Sequence, residues 1–219
     1  MALRALRIRK AHAGPARKSV RAVFTGASSG IGSVFARRLS AEGASLVLVG
    51  RDRARLEGVA AAISRAGSGV EHAVGDLAEE TWLRALEQRL ADLELDLLVN
   101  AAGLTHFGQF ADLDRRQLEL HLRVDILALM RLTQATLPGM VSRGRGAIIN
   151  ASSLMAFDDR PGWTPYVATK AFVTRFTENL AVELDGSGVT LQALCPGPVR
   201  GTEFFARAVW TRLRSQTRW

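Results

Sequence analysis

The sequence has little of several residue types whose abundance would point to other classes of protein. It has one cysteine, Cys195, in 219 residues, so no internal disulfide can form and a reducing compartment such as the cytoplasm is favoured. No apolar run reaches the roughly 18 residues that a membrane-spanning helix needs. His106 and His121 lack partners at metal-ligand spacing, so we expect no metal site.

Acidic residues are absent from both ends of the chain. Residues 1–21 carry seven basic groups and residues 205–219 carry four, which account for more than the formal net charge of +8. Basic arms can hold nucleic acid or an anionic membrane, but the domain between them is slightly acidic, so we expect no nucleic-acid partner. We expect a disordered basic leader over 1–18, one domain over 19–204 and an atypical basic tail over 205–219.

Short apolar stretches alternate with helical patterns between the two ends. The predicted strands are 19–25, 45–49, 70–74, 96–100, 146–151 and 189–195. The predicted helices are 31–42, 51–66, 79–93, 114–142 and 166–184, and the fourth should bend or end near Pro138. This alternation predicts an α/β fold, a doubly wound parallel sheet with helices on both faces.

A glycine-rich segment, residues 25–32 (TGASSGIG), joins the first strand to the first helix. Glycine lets the backbone turn tightly and approach a ligand closely. The helix that follows points its N-terminal amides at whatever lies over the turn, which suits a pyrophosphate. The strand–turn–helix context favours dinucleotide binding over a plain turn.

Tyr166 is the only tyrosine in the chain, and Lys170 is the only lysine after Lys18. At a spacing of four they lie on one face of the predicted helix, one turn apart. An ammonium at that distance favours the ionised form of a phenol, which would make the tyrosine a usable general base. The alternative is a core tyrosine and a surface lysine at a coincidental spacing.

Five motifs in order resemble the classical short-chain dehydrogenase/reductase family over about residues 20–204. They are TGASSGIG at 25–32, NAAG at 100–103, Ser152-Ser153, Tyr166 with Lys170, and CPGPV at 195–199. The resemblance implies a Rossmann-like domain and an oxidoreductase that interconverts a secondary alcohol and a carbonyl by hydride transfer.

The resemblance also implies catalytic roles for four residues. Tyr166 would be the acid/base, and Lys170 would support it and bind the nicotinamide ribose. Ser153, thirteen positions before Tyr166, would hydrogen-bond the substrate oxygen, with Ser152 as the competing candidate. Asp125 stands where the family has an asparagine that helps hold a water in the proton relay, so it would tune or weaken that relay.

The implied cofactor is NADP(H) rather than NAD(H). Gly50 stands where NAD-dependent members carry aspartate, and Arg51 follows, which can pair with a 2′-phosphate; Asp52 could instead reach the ribose. Asp76 resembles the family's adenine-contacting aspartate, with a helix N-cap as the alternative. The expected cofactor-binding residues are Gly26, Ser28, Ser29, Gly30, Ile31, Gly32, Arg51, Asp76, Leu77, Asn100, Ala101, Gly103, Tyr166, Lys170, Pro196, Gly197, Val199 and Thr202.

Family members normally continue with a substrate-covering segment and a last strand, which we do not find after Phe204. We therefore expect a sheet without that strand, and a catalytically weak dinucleotide-binding or regulatory protein as the alternative function. Met155 and Trp163 favour an apolar substrate. The surplus of apolar residues after Lys170 predicts a homodimer or homotetramer.

Overall fold

The computed structural model describes residues 19–64, 69–199 and the backbone of residues 209–210. Its strands are β1 (Arg21–Thr25), β2 (Ser45–Gly50), β3 (Val70–Val74), β4 (Leu97–Asn100), β5 (His106–Phe107), β6 (Gly146–Ala151), β7 (Val189–Leu194) and β8 (Val209–Trp210). Its α-helices are α1 (Gly30–Ala41), α2 (Arg53–Ser64), α3 (Glu80–Ala91), α4 (Arg115–His121), α5 (Leu129–Ser142) and α6 (Thr164–Glu183). The expectations for residues 1–18 and for the tail after Val199 lie outside the described side chains.

Six strands form one parallel sheet in the order β3-β2-β1-β4-β6-β7. The first strand, β1, lies near the middle of the sheet. β2 and β3 extend the sheet on one side of β1, and β4, β6 and β7 extend it on the other. This is the doubly wound order. The predicted fold class is therefore confirmed, and β7 is the edge strand among the described residues.

The central strands β1, β2 and β4 are apolar and buried over most of their length because helices cover both faces of the sheet. Consecutive side chains of β1 go to opposite faces, and Val23 and Phe24 belong to two different apolar clusters. One cluster joins the sheet to α1 and α2, and the other joins it to α3 and α5. The predicted strands and helices agree with these elements to within a few residues at each end.

The long helical pattern over 114–142 is divided at a place that the sequence did not indicate. A π-helical segment, Leu122–Ala128, separates α4 from α5. Pro138 lies inside α5, which continues to Ser142, so of the two expectations an end near Pro138 is wrong, and a bend there stays a prediction. Proline costs α5 one N–H donor, and the packing of this helix on α3 and the sheet outweighs that loss.

Two short strands were not predicted. β5 and β8 pair in parallel, with His106 opposite Val209 and Phe107 opposite Trp210. Two residues are too few to show an alternating pattern, so only the partner strand identifies them. This ribbon positions His106 and Phe107 beside α6. No helix of the described residues is long and apolar enough to cross a membrane.

Candidate active site

The candidate site lies along the carboxyl edge of the sheet. In a parallel sheet the strands all end on the same side, so the segments that follow them meet there. The segments after β1, β2, β3 and β4 line one cleft of about 460 Å³. The motif residues that the sequence singled out follow these same strands.

The turn after β1 requires its glycines. Gly26 has a φ of +67°, and a Cβ there would lie 2.7 Å from the carbonyl oxygen of Ala101. A Cβ on Gly32 would lie 2.8 Å from the carbonyl oxygen of Gly26. The Thr25 hydroxyl accepts hydrogen bonds from the amides of Ala101 and Ala102, both at 3.1 Å. The backbone segments after β1 and β4 are thus in direct contact, and a side chain at Gly26 or Gly32 would clash with the backbone there.

The start of α1 suits an anionic group. The helix begins at Gly30 directly after this turn, and its first turn contains no acidic residue. The amides at a helix N-terminus carry a partial positive charge, so a phosphate is favourable there. The size of the cleft, the glycine turn and this helix start fit a dinucleotide.

Six of the predicted cofactor residues line the cleft: Gly26, Ser28, Arg51, Asp76, Leu77 and Gly103. Two further lining residues, Gly50 and Asp52, were weighed from the sequence when the cofactor was judged, and five others were not assigned: Val49, Gly75, Ala102, Leu104 and Val124. All but Val124 adjoin a motif residue or a strand end, and that adjacency was the available signal. Gly75 is needed because a Cβ there would lie 1.9 Å from the Trp82 indole.

The other predicted cofactor residues are not among the lining residues. They include Ser29, Gly30, Ile31, Gly32, Ala101, Pro196, Gly197 and Val199, while Thr202 lies outside the described residues. The Asn100 side chain is buried inside the fold, where its amide donates to Thr133 Oγ1 at 3.3 Å and to Asn150 Oδ1 at 3.0 Å. It therefore ties β4 to β6 and α5, and its contact with a cofactor remains a prediction.

Three charged side chains stand at the end of the cleft formed by β2 and β3. Arg51 Nη1 lies 3.6 Å from Asp76 Oδ2, and both side chains are partly exposed. Asp52 accepts a hydrogen bond from the Arg55 amide at 3.1 Å, which occupies it at the start of α2. Arg51 is therefore the cation here that faces the cleft.

Asp76 is not the N-cap of α3, because Glu79 holds that position. Its Oδ1 instead accepts from the Ala78 amide at 2.9 Å, in the turn before the helix. The N-cap alternative for Asp76 is thus wrong, although the carboxylate does order the turn. Its second oxygen is the one that pairs with Arg51.

Tyr166 and Lys170 lie in the first two turns of α6 and are both buried, at 5% and 6% relative exposure. The alternative of a surface lysine is therefore wrong. Lys170 Nζ lies 5.7 Å from the centre of the Tyr166 ring. It donates to the Ala151 carbonyl at 3.1 Å and to Asp125 Oδ1 at 3.2 Å. A buried ammonium with an adjacent carboxylate stands one turn from the only tyrosine.

The two serines after β6 have different environments. The Ser152 hydroxyl donates to the Lys170 carbonyl oxygen at 2.8 Å and lies 2.7 Å from Thr174 Oγ1. These bonds hold Ser152 against the backbone of α6. Ser153 Oγ accepts from the Met155 amide at 3.1 Å at the start of a short 3-10 helix. The Ser153 hydroxyl can therefore donate its proton to another acceptor, whereas the Ser152 hydroxyl already donates to the Lys170 carbonyl oxygen.

Asp125 lies on the π-helical segment and is 1% exposed. Beyond Lys170, it accepts from the Leu104 amide at 3.2 Å and contacts His121 Nδ1 at 3.2 Å. His121 Nε2 in turn lies 2.9 Å from His106 Nδ1. Burial lowers the pKa of His106 below its usual range, and His121 acts in the same direction, whereas Asp125 opposes the shift. Sequence reasoning considered both histidines only as metal ligands and missed this contact.

Aromatic side chains flank Tyr166. The Phe107 and Trp163 rings lie 3.9 Å apart between centroids, and Trp163 and Phe107 meet the Tyr166 ring edge-on at 6.0 and 6.3 Å. Leu154 and Phe157 on the adjacent 3-10 helix are exposed. The surface next to Tyr166 is therefore largely apolar. Among residues 19–64 and 69–199 no cluster of metal-ligating side chains is found.

A doubly wound sheet, a glycine turn beneath a dinucleotide-sized cleft and a buried tyrosine–lysine pair define a class of nicotinamide-dependent oxidoreductases. Residues 21–211 match the short chain dehydrogenase family. The chain belongs to the short-chain dehydrogenase family, whose members are oxidoreductases that act on CH–OH groups with a nicotinamide dinucleotide.

Similar proteins include oxidoreductase UcpA of Escherichia coli, 35% identical over 184 residues that cover 82% of this chain and 69% of UcpA. Ketoacyl reductase HetN of Nostoc sp. is 34% identical over 82% of this chain, and the matched part spans only 63% of the length of HetN. A solved short-chain dehydrogenase from Sphingobium yanoikuyae in complex with NADPH has a TM-score of 0.83 and 38% identity, covering 86% of this chain and 74% of that one. A bulky-bulky ketone specific alcohol dehydrogenase from Comamonas testosteroni has a TM-score of 0.81 and 31% identity, covering 84% and 74%.

Proposed function

We propose that the chain is an NADP(H)-dependent oxidoreductase that interconverts a secondary alcohol and a ketone or aldehyde. The observation that carries this proposal is the buried Lys170 ammonium, one helical turn from the only tyrosine and next to a dinucleotide-sized cleft. Burying a lysine is costly unless it is paired and hydrogen-bonded. Lys170 is paired with Asp125 and donates to the Ala151 carbonyl, and its place beside Tyr166 suggests why a buried lysine is kept there.

In this proposal the protein supplies positioning and proton transfer. Tyr166 gives its hydroxyl proton to the substrate oxygen during reduction and takes it back during oxidation. Ser153 donates a hydrogen bond to the same oxygen, which holds the carbonyl in line. Lys170 stabilises the phenolate form of Tyr166 by its charge. When bound, the nicotinamide supplies or accepts the hydride.

The preference for NADP(H) is supported by Arg51, which lines the cleft directly after β2. An arginine in this place can pair with a 2′-phosphate, whereas Gly50 offers no acceptor to a 2′-hydroxyl. Asp52, the alternative reader of the ribose, is occupied at the start of α2. The neighbour from Sphingobium yanoikuyae, which has NADPH bound, is consistent with this choice.

A substrate with apolar groups on both sides of the carbonyl suits the aromatic and aliphatic surface beside Tyr166. Trp163, Leu154 and Phe157 supply that surface, with the buried Phe107 packed against Trp163, and a similar protein is specific for bulky ketones. We also propose self-association, because Leu122, Leu127 and Met130, on the π-helical segment and the start of α5, are exposed.

The single cysteine of the sequence favours a reducing compartment, and we propose the cytoplasm.

A second candidate function is a dinucleotide-binding protein with weak catalysis. The specific observation in its favour is Asp125, whose carboxylate takes a hydrogen bond from Lys170 at 3.2 Å. That bond occupies part of the ammonium that would otherwise serve Tyr166. Micromolar NADPH binding with no turnover in a broad screen of carbonyl compounds would favour this function.

The test of the first function is Tyr166→Phe, which removes one oxygen and keeps the ring. We expect kcat to fall by about 10² to 10⁴, the usual contribution of a positioned acid/base. The dissociation constant of NADPH, measured by fluorescence titration, should stay nearly unchanged. Wild-type turnover by this variant on a good ketone would refute the assignment.

The two neighbouring serines provide a matched pair of variants. Ser153→Ala should lower kcat, because the bond to the substrate oxygen is lost. Ser152→Ala should lower the melting temperature instead, because it breaks a buried hydrogen bond to α6. The opposite pattern would give the substrate role to Ser152.

A further inference from the structure

A line of four buried side chains runs inward from Lys170. Lys170 Nζ contacts Asp125 Oδ1 at 3.2 Å, Asp125 Oδ2 contacts His121 Nδ1 at 3.2 Å, and His121 Nε2 contacts His106 Nδ1 at 2.9 Å. None of the four is more than 7% exposed. Three elements supply them: β5 and the helical stretch 115–128, which are near each other in sequence, and the distant α6.

The protons along this line can be assigned from one end. The Asp125 carboxylate only accepts hydrogen bonds, so His121 must carry a proton on Nδ1. A neutral His121 then has a lone pair on Nε2, so His106 must carry its proton on Nδ1. Each bond determines the tautomer of the next ring.

Charge supports the same assignment. The Lys170 ammonium and the Asp125 carboxylate cancel, so two neutral histidines leave the buried line without net charge. A protonated histidine would add an uncompensated buried charge, which is costly. The lowered pKa of His106, caused mainly by burial, agrees with a neutral His106.

The Asp125 carboxylate is held in position by the loop after β4 and by His121. A Cβ on Gly103 would lie 2.8 Å from Asp125 Oδ1 and 3.3 Å from Lys170 Nζ, so the loop after β4 gives the pair just enough room. The Leu104 amide and His121 share the other carboxylate oxygen. Without His121, one oxygen of the carboxylate would keep a single donor, and the group could turn away from Lys170.

We propose that His121 is a positioning residue for Lys170, acting through Asp125, and that His106 holds His121 in the tautomer this requires. The proposal rests on the proposed function, because that function requires Lys170 to be held in place beside Tyr166. It also assigns a role to the π-helical segment, which carries Asp125 one turn after His121. π-Helical turns within longer helices are often found at functional sites.

The test compares two substitutions of His121. In His121→Asn the amide nitrogen is bonded to Cγ, as Nδ1 is, so the donor to Asp125 is kept. In His121→Leu the donor is lost. A hydrogen bond to a charged group corresponds to about 10- to 100-fold, so kcat of His121→Leu should fall by about that factor, with KM unchanged. His121→Asn should retain most of the wild-type kcat.

A double-mutant cycle tests whether His121 acts through Asp125. In an Asp125→Asn background the change His121→Leu should lower kcat no further, because the group it positions has lost its charge. Two independent effects that simply add would overturn the proposal. So would equal losses of kcat in His121→Asn and His121→Leu, or a normal kcat in a folded His121→Leu variant. The matched control is His72→Ala, a partly exposed histidine beside Glu57, which should leave kcat unchanged.

A measurement on the wild-type protein does not depend on turnover. The chain has four histidines, so ¹⁵N NMR of the imidazole rings can be assigned with single substitutions. We expect His121 and His106 both to be neutral with the proton on Nδ1. An Nε2-protonated His121 would overturn the proposal whether or not the protein reduces a ketone. Lack of turnover with the expected tautomers would instead count against the proposed function alone.

Discussion

Replacement of Arg51 with alanine should remove most of the preference of the protein for NADPH over NADH. The Arg51 side chain is 57% exposed and stands 3.6 Å from Asp76. A hydrogen bond to a charged group is worth about 1.5–3 kcal/mol, whereas an exposed ion pair is worth about 0.2–1 kcal/mol. A half-exposed arginine on a phosphate should fall between them, at about 1–2 kcal/mol, which is about 5- to 30-fold in affinity.

The assay is fluorescence titration of the protein with NADPH and with NADH. The wild type should bind NADPH more tightly by that factor, and Arg51→Ala should remove most of the difference while NADH binding stays the same. The preference should shrink as salt is added, because partly exposed charges are screened. Arg53→Ala is the matched control, since Arg53 is also exposed but pairs with Glu57 at 3.4 Å on α2.

Gly50→Asp should go beyond the effect of Arg51→Ala and reverse the preference, so that NADH binds more tightly than NADPH. A Cβ at Gly50 would meet Leu56 Cδ1 at 3.4 Å and Ser28 Cβ at 3.5 Å, so the side chain can be accommodated. The new carboxylate would accept from a 2′-hydroxyl and repel a 2′-phosphate. A wild type that prefers NADH, or an Arg51→Ala variant that loses both cofactors equally, would refute the reasoning and leave Asp52 or the Ser28 turn as the next candidate.

Three further predictions concern stability. Gly26→Ala should lower the free energy of unfolding by more than the roughly 1–2 kcal/mol that a left-handed alanine costs, because its Cβ would lie 2.7 Å from the Ala101 oxygen. Gly43→Ala, with open space around it, should cost only the backbone term. Equal losses for the two variants in urea unfolding would contradict this. Burial lowers the pKa of His106 in the folded state, so stability should be highest above the pKa of about 6.5 of an unfolded histidine and should fall as the pH decreases below it. His106→Asn should flatten that part of the pH profile of the melting temperature. Leu98→Ala at the centre of β4 should cost about 2–5 kcal/mol, while Val182→Ala on the exposed face of α6 should stay within about 0.5 kcal/mol, as chemical denaturation can measure.

Features that depend on local spacing could be predicted from the sequence. Short apolar runs indicated six strands, because a strand buried on both faces is apolar at successive residues. Helical periodicities indicated the helices between them, because each helix buries one side. The glycine turn was recognisable because positive φ at Gly26 and close backbone packing leave a local trace in the residue types. Tyr166 and Lys170 could be paired because four residues along a helix bring two side chains to one face.

Contacts between distant segments were decided only by the tertiary structure. Ser152 and Ser153 are adjacent and chemically identical, and only the position of α6 shows that Ser152 bonds to its backbone. Arg51 meets Asp76 because β2 and β3 are neighbours in the sheet.

The line from Lys170 through Asp125 to the two histidines is the clearest case. The sequence separates His106 from Lys170 by more than sixty residues, and no periodic pattern links a two-residue strand to a helix so far along the chain. Burial by several elements at once makes these polar groups dependent on one another, since each buried donor needs an acceptor nearby. The residue types were present in the sequence, but the partners of each were set by how α6, the π-helical segment and β5 pack together.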